Sequence, residues 1–417
     1  MSRFAEAVLP ARLGSRFRWL LASSWVSNIG DGIALAAGPL LVASQTRDPF
    51  LVALAGLLQR LPWLMFGLLA GALADRLDRR LIVVTADLLR AVVLVALIVT
   101  IATGSVNIWL VLGTMFLLGA AETFADTTSH TLMPMLVEKA DYGVANARLM
   151  AGFITANQLA GPPIGALLFA AGMSLPFVTQ ALCVTLGALL VARIAFPANA
   201  RAGEERQHIR RDIAEGFRWL WHHPAVRALA LTIVTFNITF GAAWSVLVLY
   251  AIERLRMGEV GFGLLTTATA VGGLVATASY GWLERRLSLA VMMRGCLIVE
   301  TLTHLVLAVT TIDWVALVTF FFFGVEAFVW GTTSQSVRQR AVPTEFQGRV
   351  GSVYMLGVIG GIVVGGAIGG LIAGWWGVTA PFWFAFGGSV VILALIWRQL
   401  AYIAHADEQA REDTAAA

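Results

Sequence analysis

Charge is scarce in this chain, and its scarcity bounds what the protein can be. Of 417 residues only 13% are Asp, Glu, Lys or Arg, against roughly a quarter in ordinary globular domains. Lysine occurs once, as Lys139. The two cysteines, Cys183 and Cys296, sit in separate apolar runs without CxxC spacing, which supports neither a zinc site nor a disulfide framework. No GxSxG, HExxH or CxxC pattern is present, so the usual catalytic constellations are missing and no enzyme, cofactor or metal is expected. A GxxxxGK[ST] phosphate loop is also absent, which excludes ATP as the direct energy source. The net charge of +4 does not mark a nucleic-acid partner, because the arginines fall in loops between apolar stretches. No cleavable signal peptide is expected, since the first apolar run is too long and lacks a small-residue cleavage site.

What remains is hydrophobic. Apolar residues make up 58% of the chain and the mean hydropathy is +0.79. Stretches of about 20 apolar residues recur along its length, each long enough to cross a hydrocarbon core of about 30 Å. The expectation is an all-α integral membrane protein with twelve transmembrane helices in two six-helix pseudo-symmetric halves. Spans are placed at about 18–44, 50–73, 81–102, 108–130, 149–171, 175–196, 226–251, 261–283, 289–311, 314–336, 347–373 and 379–401. The predicted parts are an N-terminal tail (1–17), a first bundle (18–196), a linker with an amphipathic helix (197–224), a second bundle (225–401) and a C-terminal tail (402–417). Arginine-bearing connections alternate with nearly uncharged ones. By the positive-inside rule this places both termini in the cytoplasm of a multi-pass plasma-membrane protein.

Polar groups inside the spans are the candidate chemistry. In the first span Ser24, Ser27, Asn28 and Asp31 form one polar stripe. Arg60 and Pro62 interrupt the second, and Asp87 and Arg90 stand at i,i+3 in the third, a spacing that lets them pair. Glu122, Asp126 and His130 share a face of the fourth, Glu300 and His304 mark the ninth, and Glu326 lies midway along the tenth. An ionised side chain at a helix centre costs roughly 2.5 kcal/mol or more, so Asp31, Arg60, Arg90, Glu122, Asp126, Glu300 and Glu326 are candidates for proton coupling or substrate contact. The arginines can equally be halves of structural ion pairs. Phe240, Trp244 and Trp330 are candidate cavity aromatics, although aromatics on apolar helices also face lipid or core.

Two motifs carry a resemblance. Gly71-x-x-x-Asp75-Arg76-x-x-Arg79-Arg80, between the second and third spans, is similar to the signature loop of the major facilitator superfamily. Gly161-Pro162-x-x-Gly165 resembles the fifth-span motif of its antiporters. With Asp87-Leu-Leu-Arg90, the run Ile213–Leu220 and Arg338-Gln-Arg-x-Val-Pro343, the chain is identified as similar to the branch containing macrolide-efflux and siderophore-exporter proteins. Asp78 stands where that loop usually has glycine, and the second-half equivalent offers only Glu284, one position out of register.

The resemblance implies a conformational latch made by Gly71, Asp75, Arg76, Arg79 and Arg80. Physically, Gly71 would allow close approach to the glycine-lined eleventh span (Gly357, Gly361, Gly365, Gly369), and Asp75 would meet the start of that span near Gly348. Arg79 would pair near Asp126 or His130. The fifth-span motif makes export the expected direction, with a monomer moving a small molecule against protons. Amphipathic neutral or cationic drug-like compounds are the expected substrates, a siderophore or other secreted product is the alternative, and nutrient import a third possibility.

Overall fold

The computed structural model describes residues 13–194, 209–343 and 346–400, apart from the side chains of Leu68, Asp75 and residues 209–213. Residues 1–12 of the predicted N-terminal tail (1–17), the whole predicted C-terminal tail (402–417) and residues 197–208 of the linker lie outside the described residues. Among the described residues there are helices and turns but no strand, as the absence of water from a bilayer demands: a helix satisfies its own backbone N–H and C=O groups.

The helices are α1 (Gly14–Gln45), α2 (Pro49–Arg76), α3 (Arg79–Ala102), α4 (Ile108–Ser129), α5 (Tyr142–Gly152), α6 (Gly161–Ala171) and α7 (Leu175–Ala192). After the linker come α8 (Ile209–His222), α9 (Pro224–Trp244), α10 (Glu259–Arg286), α11 (Leu289–Val309), α12 (Asp313–Ala341), α13 (Gln347–Trp376) and α14 (Ala380–Ile396). Ten helices among the described residues are long and apolar enough to cross a membrane, and α14 is a shorter apolar one. The predicted fifth span is not uniform. It runs from α5 through a π-helical segment, Phe153–Ala160, into α6. The cause is local: Pro162 and Pro163 have no N–H to donate, so the carbonyls one turn back lose their α-helical partners, and Gly161 N–H bonds instead to the Ala156 carbonyl.

Helix ends follow from single residues. Asp78 caps α3 by accepting from the Arg80 N–H at 3.0 Å, which explains an acid where the signature loop usually has glycine. Asn107 caps α4 by accepting from Leu110 N–H at 3.1 Å, and Ser288 caps α11. Gly377, at φ +87°, ends α13 in the left-handed region that side chains avoid.

The chain folds as two compact units. One holds the described residues of Met1–Arg47, Ala55–Glu205 and Gly258–Thr267; the other those of Asp48–Leu54, Arg206–Met257 and Ala268–Ala417. In the first unit, α1 is packed by α6 and α7 through missing side chains. A Cβ on Gly161 would lie 2.5 Å from the Gly32 Cα, one on Gly165 2.2 Å from the Ile33 carbonyl oxygen, and one on Gly187 2.4 Å from Ser27 Oγ. In the second unit the glycine row of α13 meets α9: a Cβ on Gly365 would lie 2.1 Å from the Ile238 oxygen, and one on Gly369 2.2 Å from the Ala242 oxygen. Such close backbone approach is how membrane helices associate without a hydrophobic driving force.

Gly165→Ala is therefore expected to overpack the α1–α6 contact and cost about 1–3 kcal/mol, lowering the thermal unfolding midpoint of the purified protein. Gly113→Ala, where a Cβ meets nothing within 4 Å, is expected to leave the midpoint unchanged. Equal midpoints for both variants would contradict the packing.

Candidate functional site

The polar stripe of α1 is built into the packing. Ser23 Oγ donates to the Gly187 carbonyl of α7 at 3.0 Å, and Asn28 folds back onto Ser24. One turn on, Gly30 sits so close to α7 that a Cβ would lie 2.8 Å from Cys183 Cβ, and Gly32 lies against the Ala156 and Asn157 carbonyls of the π segment. Asp31, between two close-approach glycines, is held by backbone contact on both sides of its position.

Across from it stands Arg90 of α3. Its guanidinium bonds to Asp31 Oδ1 through Nη2 and to Asp87 Oδ1 through Nη1 at 3.2 Å. Its side chain is 3% exposed, and Nε has no hydrogen-bond partner. The i,i+3 pair predicted from sequence is thus present, with the Asp31 bond across helices added to it. Glu122 and Asp126 of α4 also act electrostatically on Arg90, and Glu122 acts on Arg60 of α2. α4 reaches α2 through Gly119, where a Cβ would lie 2.2 Å from the Gln59 carbonyl oxygen. Burial grades across the group. Asp87 and Arg90 are buried, Asp31 and Glu122 intermediate, Arg60 and Asp126 exposed. On spans, an exposed charge is stable facing water and not lipid, so the group leads from a packed interior to a wet face.

Asn157 and Gln158 are site neighbours that the sequence reading does not single out. Gln158 Nε2 donates to Asn157 Oδ1 at 2.6 Å within the π segment, beside Gly32 and therefore one residue along α1 from Asp31. Amides at a π bulge next to two prolines are the signal that could have found them.

The second unit holds a different cluster. Glu300 and His304 share a face of α11, with Oε1 and Nε2 4.0 Å apart, and Glu326 of α12 acts electrostatically with Glu300 on Cys296. Neither ring nitrogen of the fully buried His304 has a hydrogen-bond partner. Trp244 meets His304 edge-on at 6.0 Å and packs at a tilt against Phe240 and Phe323, both at 4.6 Å. Phe240 and Trp244 are partly exposed beside these buried acids. Trp330 differs from the expectation of a cavity aromatic: it is 9% exposed and belongs to the apolar core with Val329, Leu297 and Ala276.

In the charged turn, Arg79 donates to the Ala74 carbonyl at 3.0 Å and the Thr131 carbonyl at 3.5 Å, next to His130. Arg80 donates to the Ile194 carbonyl at 3.3 Å, and Arg76 is exposed. The Asp75 side chain lies outside the described residues. A Cβ on Gly71 would meet nothing within 4 Å. Within the second unit the α13 glycines Gly357, Gly361, Gly365 and Gly369 pack against α9. In the second half, Glu284 pairs with Arg340 at 3.7 Å.

Comparison with known proteins adds three findings. A family model described as transmembrane secretion effector matches residues 7–415. The multidrug efflux pump Tap of Mycolicibacterium fortuitum is 28% identical over 349 residues, covering 80% of this chain and 83% of that protein; the pump of the same name from Mycobacterium tuberculosis is 27% identical over 304 residues, covering 69% and 70%. Among solved structures, a bacterial homologue of the iron transporter ferroportin in its inward-facing state superposes with a TM-score of 0.75 at 17% identity, covering 93% of this chain and 98% of that one. The nucleoside transporter NupG gives 0.68 at 13%, covering 93% and 99%. At these identities the structures establish the fold alone.

Removing Arg90 would strand Asp31 and Asp87 without their common partner. Arg90→Ala is expected to cost about 3–5 kcal/mol and to lower the yield and melting temperature of the purified protein, while Arg60→Ala, at an exposed position, costs much less. Similar melting temperatures for the two variants would show that Arg90 is not the structural centre of the group.

Proposed function

Because the chain belongs to the transmembrane secretion effector family of major facilitator transporters, we propose that it exports amphipathic, neutral or cationic drug-like compounds across the plasma membrane in exchange for protons. It is a transporter and not an enzyme. The observation that carries the reading is the charge balance of the first unit: the carboxylates of Asp31, Asp87, Glu122 and Asp126 gather around the guanidiniums of Arg60 and Arg90, leaving two negative charges over. In a low-dielectric environment such a surplus is balanced by bound protons or by a cation. A group that accepts either one, but not both, couples their movements in opposite directions.

Within the group the roles divide by burial. Asp87 and Arg90 are the fixed pair, held on one helix. Asp31 and Glu122, intermediate in burial, are the exchangeable carboxylates, and Asp126 and Arg60 stand at the wet face. The π segment and the glycine contacts of α1 hold Asp31 in place while substrate and proton alternate. A drug-export role agrees with the relatives named as multidrug efflux pumps. A surplus of negative charge disfavours an anionic siderophore. The termini are assigned to the cytoplasm by the arginine distribution, and the turn at 71–80 acts as the conformational latch, Arg79 and Arg80 bonding backbone carbonyls that can be released and remade.

In everted membrane vesicles energised by an imposed proton gradient, wild-type protein is expected to take up a fluorescent cationic drug and to dissipate the gradient as it does so. Asp31→Asn and Glu122→Gln are expected to reduce both signals to the level of empty vesicles at unchanged protein levels. Uptake unaffected in both variants, or independent of the gradient, would overturn the coupling role; uptake only in right-side-out vesicles would make the protein an importer. Arg79→Ala is expected to slow turnover severalfold with little change in melting temperature, and normal turnover would reduce the charged turn to a topology signal.

A further inference from the structure

At one end of the second unit, where α9 begins and α14 ends, Pro224, Arg227, Ala228, Leu231, Ile396 and Gln399 enclose a groove of about 390 Å³. It lies apart from the acidic clusters, and the transport reading does not use it. The spacing 224, 227/228, 231 is one face of a helix; Ile396 is the last residue of α14, and Gln399 follows it by three residues. The groove therefore runs along two helix axes, and its chemistry is split lengthwise. Pro224, Ala228, Leu231 and Ile396 form an apolar trough, with Leu231 49% exposed. Arg227 supplies a charge at the end where α9 starts, and Gln399 lines the groove beside exposed Arg398.

Arg227 is positioned by its neighbours. One Nη1 hydrogen bond to the Trp221 carbonyl at 3.0 Å and a stack 5.6 Å above the Trp221 ring fix the guanidinium. Among the described residues no carboxylate pairs with it, and no acid lines the groove. The depth of the groove in a membrane is marked by its neighbours. Trp221, with Phe217 stacked on it at 5.7 Å, is exposed on α8, and Trp397 is exposed after α14, where Arg294 stacks on it at 4.9 Å and donates to its carbonyl. Tryptophans paired with arginines belong where hydrocarbon gives way to headgroups. A cation at headgroup level, paired with no carboxylate among the described residues and leading into an exposed apolar trough, complements a molecule with a phosphate at one end and an alkyl chain at the other.

We propose that this groove binds an anionic phospholipid, with its phosphate on the Arg227 guanidinium and one acyl chain along Ala228, Leu231 and Ile396. A zwitterionic lipid also carries a phosphate, but its ammonium would stand beside Arg227 and Arg398, so the site discriminates for net negative charge. Occupancy would tie α9 to α14, next to the Trp221 end of α8 that Arg227 bonds.

The test is lipid binding by the full-length purified protein, measured by native mass spectrometry and by thermal unfolding with added short-chain phosphatidylglycerol. Wild type is expected to retain phosphatidylglycerol over phosphatidylcholine of the same chain length and to melt at a higher temperature with it. Arg227→Gln is expected to weaken retention about fivefold, the effect of one basic residue at a membrane surface, and Arg227→Lys to keep most of it. Ala228→Trp fills the trough without altering charge and is expected to remove binding. Both the glutamine and tryptophan variants are checked for an unchanged melting temperature without lipid; if the glutamine variant is unfolded, the lysine and tryptophan variants decide. Equal retention of the two lipids, retention unchanged by Arg227→Gln or Ala228→Trp, or full competition by soluble glycerol phosphate would each overturn the proposal.

Discussion

A guanidinium inside a membrane span is stable only where carboxylates surround it, and Arg90 imposes that condition on the first unit. It brings α1 to α3 through Asp31, holds Asp87 on its own helix, and lies in the field of both acids of α4. The helices must therefore approach closely enough for short side chains to reach one another, which is why glycines cluster around the group. Gly30 and Gly32 flank Asp31, Gly161 and Gly165 receive α1, and Gly119 lets α4 settle on α2 one turn from Glu122. Electrostatics sets the requirement and small residues meet it. Neither would persist alone, since close packing without Arg90 would leave acids unpaired, and Arg90 without close packing would find no partners.

The second unit solves the same problem differently. Among the described residues its buried acids, Glu300 and Glu326, pair with no arginine; His304, 4.0 Å from Glu300, and a wall of aromatic rings adjoin them instead. Packing is again glycine-based, but the row on α13 serves α9 and leaves the acidic cluster to α11 and α12. The two halves echo each other in sequence while differing in where charge is compensated.

How much of this was legible in the sequence depended on range. Helix type and rough extent could be read from apolar length, and Asp87 with Arg90 from i,i+3 spacing, because both are local. The Asp31–Arg90 bond could not, since it joins residues 59 positions apart and any of several arginines could have served. Asp78 was visible as a departure from the signature loop, and its role as the cap of α3 became plain only once the helix was seen to start at Arg79. Trp330 was misplaced because a span that is apolar on every face gives no periodic signal to separate core from cavity. The α13 glycines read as a surface for close packing, but the identity of a partner is a tertiary fact: within its own unit α13 packs against α9.

The π segment at Phe153–Ala160 can also be viewed as a register device. A π turn accommodates one more residue than the α turn it replaces, so everything after it is rotated by about 100° relative to an uninterrupted helix. In a span with an uninterrupted ladder, Gly161 and Gly165 would be turned away from α1 when the Ala156 and Asn157 carbonyls of the π segment face Gly32. An inserted residue, accommodated by the two prolines behind it, thus allows one helix to show two different faces to the same neighbour.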